Sequence, residues 1–225
     1  MWQIAHRGYS HKYGDNNMTA FREAVRAGFD MIELDIQLCG SGEIVVFHDI
    51  CINNRYIAEI PLNELAVMGV LTLEEVLAEL VPTNIRLFLD IKGTHYVSYL
   101  LVDVIAKWFP GDKAASVFVS GFNRRFVSRI RDAKLGVHIG LTTSNTFDAG
   151  QLDALTPECS FVCLDWTALD THAIDHLRKK GVLVFAYTCS NDFVYRHMTE
   201  YQIDGIVTNY FLESLPKSIP PRASN

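Results

Sequence analysis

The sequence has no C-x-x-C pair, no excess of basic residues, no long apolar run and no glycine-rich phosphate loop behind its first strand. Each absence excludes something. The five cysteines (Cys39, Cys51, Cys159, Cys163 and Cys189) are odd in number and lack paired spacing, so they do not read as a disulfide framework or a redox motif. Cys39, Cys163 and Cys189 lie in or against apolar runs, where a reduced thiol acts as a small hydrophobe. A reducing, cytoplasmic setting is the expectation. With 20 Lys and Arg against 26 Asp and Glu, the formal charge is −6. That balance argues against a non-specific nucleic-acid binder, and it obliges any anionic ligand to find local cations. The longest bilayer candidate, Tyr96 to Phe109, is interrupted by Asp103 and Lys107, so no transmembrane segment is expected. No basic stretch followed by an apolar one opens the chain, so no signal peptide is expected either. Finally, neither G-x-G-x-x-G nor a Walker loop follows the first strand, which weakens an open, doubly wound nucleotide-binding sheet.

What the chain does have is alternation. A hydrophobic fraction of 49% provides for a substantial core. Apolar strand-like runs occur at Gln3–His6, Met31–Leu38, Ile85–Lys92, Ser116–Phe122, Gly136–Leu141, Phe161–Asp165, Val182–Thr188 and Gly205–Thr208. Helical spacing separates most of them: Asn17–Ala27 stopped by Gly28, Leu73–Leu80 behind Thr72, Tyr96–Phe109, Arg124–Lys134, Asp148–Leu155, Thr171–Lys180 and Asn191–Tyr201. Thr72 with Glu75 three residues later makes a capping box. Near-continuous apolar strands alternating with helices indicate a parallel sheet. Eight such units in 225 residues favour an α/β fold, a closed (β/α)8 TIM barrel. Gly40-Ser41-Gly42 turns the second strand back into Glu43–His48, a short hairpin insertion after strand 2, and 49–70 reads as irregular with a helical turn at Leu62–Met68. No linker appears, so residues 1–225 are expected to form one barrel domain, ending in a weak turn and proline-containing tail over 212–225.

The polar groups sit where a barrel keeps its chemistry, at the carboxyl ends of the strands. In Met31–Leu38 the two-residue period puts Glu33 and Asp35 on one face and Ile32, Leu34 and Ile36 on the other. Two neighbouring carboxylates repel unless a cation lies between them. His6 and Arg7 end the first strand, His48 and Asp49 close the hairpin, and Asp90 and Lys92 end the third long strand. Three carboxylates without nearby Cys suit a hard cation, Mg²⁺ or Ca²⁺, over zinc. Two histidines beside it suit acid–base work near neutral pH, while Arg7 and Lys92 supply positive charge matched to phosphate oxygens. Together these parts describe phosphate-ester cleavage.

The ordered segments Ile4-Ala5-His6-Arg7-Gly8, Asp15-Asn16-Asn17, Glu33-Leu34-Asp35, Phe47-His48-Asp49 and Asp90-Ile91-Lys92 resemble the glycerophosphodiester phosphodiesterases. Softer similarity runs through Leu73–Leu77 and Val184–Asn209. The resemblance implies a small glycerophosphodiester substrate, His6 and His48 as the acid–base pair, one divalent cation on Glu33, Asp35 and Asp90, and phosphate held by Arg7 and Lys92. Tyr187, where the family frequently has Trp, is expected to contact substrate as well. Asp15 and Asp90 stand where Glu is usual, Asn17 replaces Thr, and Asn209-Tyr210-Phe211 departs from an Asp-Tyr-Pro ending. Two alternatives remain open: a phospholipase D-like enzyme acting on lysolipids or intact lipids, and a non-catalytic ion-binding barrel. The other histidines (His11, His95, His138, His172, His176 and His197) read mostly as surface or helix positions. Arg124, Arg125, Asp165 and Trp166 read as rim residues with structural roles at least as good as functional ones.

Overall fold

Eight parallel strands close on themselves in the computed structural model, which describes residues 1–213 apart from the side chains of Arg124 and Phe126. In chain order the elements are β1 (Trp2–His6), α1 (Ser10–Tyr13), α2 (Met18–Ala27), β2 (Met31–Leu38), β3 (Ile44–Val46), β4 (Cys51–Ile52), β5 (Arg55–Tyr56), α3 (Leu62–Val67), β6 (Leu71–Thr72) and α4 (Leu73–Leu80). They continue with β7 (Arg86–Ile91), α5 (Val97–Trp108), β8 (Val117–Ser120), α6 (Arg124–Asp132), β9 (His138–Thr143), α7 (Ala149–Leu155), β10 (Phe161–Asp165), α8 (Thr171–Lys179), β11 (Leu183–Cys189), α9 (Asp192–Thr199) and β12 (Gly205–Thr208). The order around the barrel is β1-β12-β11-β10-β9-β8-β7-β2, and β2 returns to pair with β1. β3 runs antiparallel on β2 as the hairpin insertion, and β6 pairs antiparallel with β3. This is the (β/α)8 barrel that the alternation predicts.

Strand alternation divides the core into two parts. Outward residues such as Ile32, Leu34 and Ile36 pack under the helices, in one cluster with Phe21, Leu77 and Leu101. Inward residues at the amino end form an aromatic plug of Trp2, Phe88, Phe118, Phe161 and Phe185. Phe161 meets Phe88, Phe118 and Phe185 with ring centroids 5.3 Å apart in each case, the spacing at which aromatic pairs add about 0.5–1.5 kcal/mol beyond burial. The plug explains Gly140: a Cβ there would lie 2.4 Å from the Phe161 ring. Helix ends follow from local chemistry. Asn17 Oδ1 accepts the Ala20 amide at 2.9 Å, and Thr72 with Glu75 forms the expected capping box. At the other end of the chain, Gln3 exchanges two hydrogen bonds with the Leu212 backbone, at 3.0 and 2.8 Å.

Several boundaries differ from the sequence reading. The hairpin arm is three residues long, so His48 lies beyond its strand. Between the first strand and the helix from Met18 lies the single turn α1, which Tyr9 braces by packing edge-on against Tyr13 and Phe29. β9 extends to Thr143 rather than ending at Leu141. His138 falls in the expected strand, at the start of β9, and stacks on Phe118 at 4.2 Å. The tail expected after Leu212 lies outside the described residues from 214 onward.

Candidate active site

The first strand ends in a turn that few side chains tolerate. Arg7 adopts φ +58° and Gly8 φ +83°, and the left-handed region costs a non-glycine residue about 1–2 kcal/mol. That turn lets the Arg7 amide donate to Glu33 Oε2 at 2.9 Å. A side chain at Gly8 would press a Cβ to 2.9 Å from Ala20 of α2, so glycine is required where helix and turn touch.

The carboxylates converge. β1 places His6 beside Glu33, and β7 places Asp90 beside Asp35 in register. One oxygen from each of Glu33, Asp35 and Asp90 can be chosen so that all lie within 4.8 Å of one another, and all three residues are buried. Arg7 Nε approaches Asp35 Oδ2 at 3.1 Å while its Nη1 donates to Asp15 at 2.7 Å. Lys92 Nζ lies 3.2 Å from Asp35 Oδ1 and also donates to Asp90. Asn16 Nδ2 donates to Asp35 Oδ2 at 2.9 Å, and the Ser120 hydroxyl reaches Asp90 Oδ1 at 3.4 Å.

The charges do not balance. Three carboxylates face two cations, and among the described residues Glu33 has no ion-pair partner. Burial, then the neighbouring Asp35 and Asp90 charges, push the Glu33 carboxyl well above the usual range. Asp35 is also penalised by burial, but Lys92 and Arg7 outweigh it and hold the group below its ordinary value. Burial pushes Asp90 up in spite of Lys92. Burial opposes the Lys92 ammonium, yet Asp90 and Asp35 keep it firmly charged. An all-oxygen cluster with one uncompensated carboxylate fits a hard divalent cation.

Both predicted histidines line the same cavity of about 120 Å³ as the carboxylates, Arg7, Lys92 and Tyr187. His6 Nδ1 lies 2.6 Å from Asn209 Oδ1. An amide oxygen only accepts, so Nδ1 carries the hydrogen and Nε2 keeps its lone pair. The Ser10 hydroxyl donates to the same oxygen at 3.4 Å. Burial, helped by Arg7, lowers the His6 pKa to about 4, so the ring is neutral near pH 7. His48 stands at the mouth with its side chain 40% exposed, and its Nδ1 pairs with Asp49 at 2.7 Å. Tyr187 is half-buried and meets Phe122 edge-on at 6.1 Å. Of the rim residues, Asp165 accepts the Thr167 amide and hydroxyl, a capping role, and Trp166 packs edge-on against Phe193.

Comparison with known proteins covers nearly the whole chain. Residues 6–213 match the sequence profile of the Glycerophosphoryl diester phosphodiesterase family. The chain belongs to this family. Membership makes it a phosphoric diester hydrolase of the glycerophosphodiester phosphodiesterase class. It is 29% identical over 233 residues to YhdW of Bacillus subtilis (strain 168), covering 93% of this chain and 95% of that protein. It is 23% identical to the glycerophosphodiester phosphodiesterase of Caldanaerobacter subterraneus subsp. tengcongensis, covering 92% and 93%. An Oleispira antarctica phosphodiesterase, solved in complex with the product sn-glycerol-3-phosphate, superposes with a TM-score of 0.82 at 21% identity, covering 93% of each chain.

Sequence reasoning missed some of this phosphodiesterase's site. Asn209 lies 203 residues from the histidine it contacts, and the sequence marked it as a departure from the family's ending without giving it a role. Ser120 and Thr142, hydrogen-bonded to each other, went unnoticed: Thr142 lies past the expected strand end at Leu141, and Ser120, inside its expected strand, was given no role.

Proposed function

We propose that the enzyme cleaves small glycerophosphodiesters to an alcohol and glycerol phosphate, with His6 as general base and His48 as general acid. The observation that carries this is one cavity shared by two differently placed histidines and a buried, charge-deficient carboxylate cluster. His6 suits the base because its ring is neutral, its tautomer is fixed by Asn209 and its free nitrogen is Nε2. His48 suits the acid because it stands at the solvent edge, where a departing alcohol must leave, with the Asp49 carboxylate 2.7 Å from its Nδ1. Glu33, Asp35 and Asp90 would hold one Mg²⁺ or Ca²⁺. The cation would supply charge stabilisation for the phosphate oxygens. Arg7 and Lys92 already lie against the same carboxylates, where their remaining donors serve phosphate, and Tyr187 completes the wall.

In a glycerol diester the adjacent hydroxyl is the nearest nucleophile, and intramolecular attack gains a large effective molarity. His6 takes that hydroxyl's proton as its oxygen bonds to phosphorus. The bond from phosphorus to the leaving alcohol breaks, and His48 returns a proton to that oxygen. A cyclic 1,2-phosphate results, which water then opens. Its product, glycerol phosphate, is the class of molecule found bound in the Oleispira antarctica phosphodiesterase. The five cysteines form no disulfide, in keeping with a reducing, cytoplasmic site of action; among the described residues no helix is long and apolar enough to cross a membrane.

The test is turnover across a panel of glycerophospho-alcohols and lysolipids, with and without chelator. Glycerophospho-alcohols are expected to be cleaved, EDTA to abolish turnover, and added Mg²⁺ or Ca²⁺ to restore it. Full activity after exhaustive chelation, with no metal by elemental analysis, would remove the cation.

A further inference from the structure

β2 carries a third polar side chain on the face of Glu33 and Asp35. Gln37 lies two residues beyond Asp35, so the strand period turns it the same way, and it is 2% exposed. Burying a primary amide costs free energy unless its N–H groups find acceptors. Both do. Nε2 donates to the Phe47 carbonyl at 2.7 Å and to the Asp49 carbonyl at 2.8 Å. These two carbonyls bracket His48.

Apart from Gln37, the segment that bears His48 is anchored at its ends: Phe47 packs against the cluster of Cys39, Ile57 and Ile60, and the Ile50 carbonyl accepts the Ile57 amide at 3.0 Å. The segment follows the end of β3 at Val46 and precedes β4 at Cys51. Its other tie to β2 is the Phe47 amide on the Asp35 carbonyl at 3.0 Å. The Asp49 carboxylate that meets the His48 ring is itself 69% exposed, and exposed pairs hold geometry weakly. We infer that Gln37 is a positioning residue for His48, gripping the backbone on both sides of the ring. Glu33, Asp35 and Gln37 share one strand, so a single rigid element sets the spacing between the proton donor and the carboxylate cluster.

This rests on the function proposed above, and the experiment separates the two. Gln37→Met keeps length and burial while removing both donors; Gln37→Glu is avoided because it would add a carboxylate beside the cluster. Two diesters are compared, glycerophosphoethanolamine and glycerol p-nitrophenyl phosphate. The nitrophenolate departs without a proton, so only the first substrate needs the general acid. Gln37→Met is expected to lower kcat on glycerophosphoethanolamine by roughly ten- to a hundredfold, part of the about 10²–10⁴ that a general acid supplies. KM should hold, and the nitrophenyl diester should be barely affected. In a His48→Ala background the substitution should add nothing, since residues acting through one another are non-additive. Equal loss on both diesters, additive loss with His48→Ala, or no loss would each overturn the positioning role. If Gln37→Met fails to fold, Gln37→Asn, which withdraws the amide by one methylene, reads the same split. Wild-type enzyme inert on both diesters would refute the proposed function instead. The positioning role would then be decided by NMR of the His48 ring, whose signals should broaden or split in the variant and would overturn the role by staying unchanged.

Discussion

The lower and upper halves of the barrel interior are built from the same strands and differ in almost every other respect. On β7 the inward residues run from Phe88 to Asp90, on β8 from Phe118 to Ser120, and on β11 from Phe185 to Tyr187. The lower rank is an aromatic plug in which every ring has a partner. The upper rank is buried charge that does not balance. One step of two residues along a strand therefore passes from groups that hold the fold to groups that the fold must hold. The plug stabilises through area and contact, and its removal should cost stability. The upper rank spends stability, since burying three carboxylates is unfavourable without compensation, and its removal should cost activity.

The widest separation between the two ranks is expected at the histidines. His6→Ala and His48→Ala should each lower kcat by about 10²–10⁴ and leave the melting temperature near that of the wild type. A folded mutant keeping a third of its activity would take that histidine out of the mechanism. The opposite signature belongs to the plug. Phe161→Ala should cost about 3–5 kcal/mol in chemical denaturation, while kcat of the folded fraction changes little. A loss of activity without a loss of stability there would erase the distinction between the ranks. The smallest effect lies outside both. Thr72→Ala removes the capping box of α4 and should cost about 1 kcal/mol, with turnover untouched.

How much of this was legible in the sequence differs between the two ranks. The barrel could be read from the alternation of apolar strands and helices, because the barrel strands are buried on both faces and most of the helices between them start at a capping side chain. Glu33 and Asp35 could be paired from the strand period alone, and the same period reaches Gln37, whose partners lie 10 and 12 residues away in the hairpin. Short pairings were not legible. β6 is two residues long, and it exists because β3 offers it an edge. Asn209 meets His6 only because β12 closes the barrel against β1, and no local pattern encodes that closure. His138 could be placed in its strand, but not its stacking on Phe118, which lies on the preceding strand.

The central claim is that the upper rank arranges the substrate's own hydroxyl for attack on phosphorus, and it can be measured on one analogue. A diester whose glycerol 2-hydroxyl is replaced by hydrogen removes the nucleophile and leaves the phosphate and the leaving alcohol in place. It is expected to bind as a competitive inhibitor without being cleaved, while phosphorus NMR of the natural reaction shows a cyclic 1,2-phosphate. Cleavage of the deoxy diester at a rate comparable to the natural substrate would make water the nucleophile and contradict the claim.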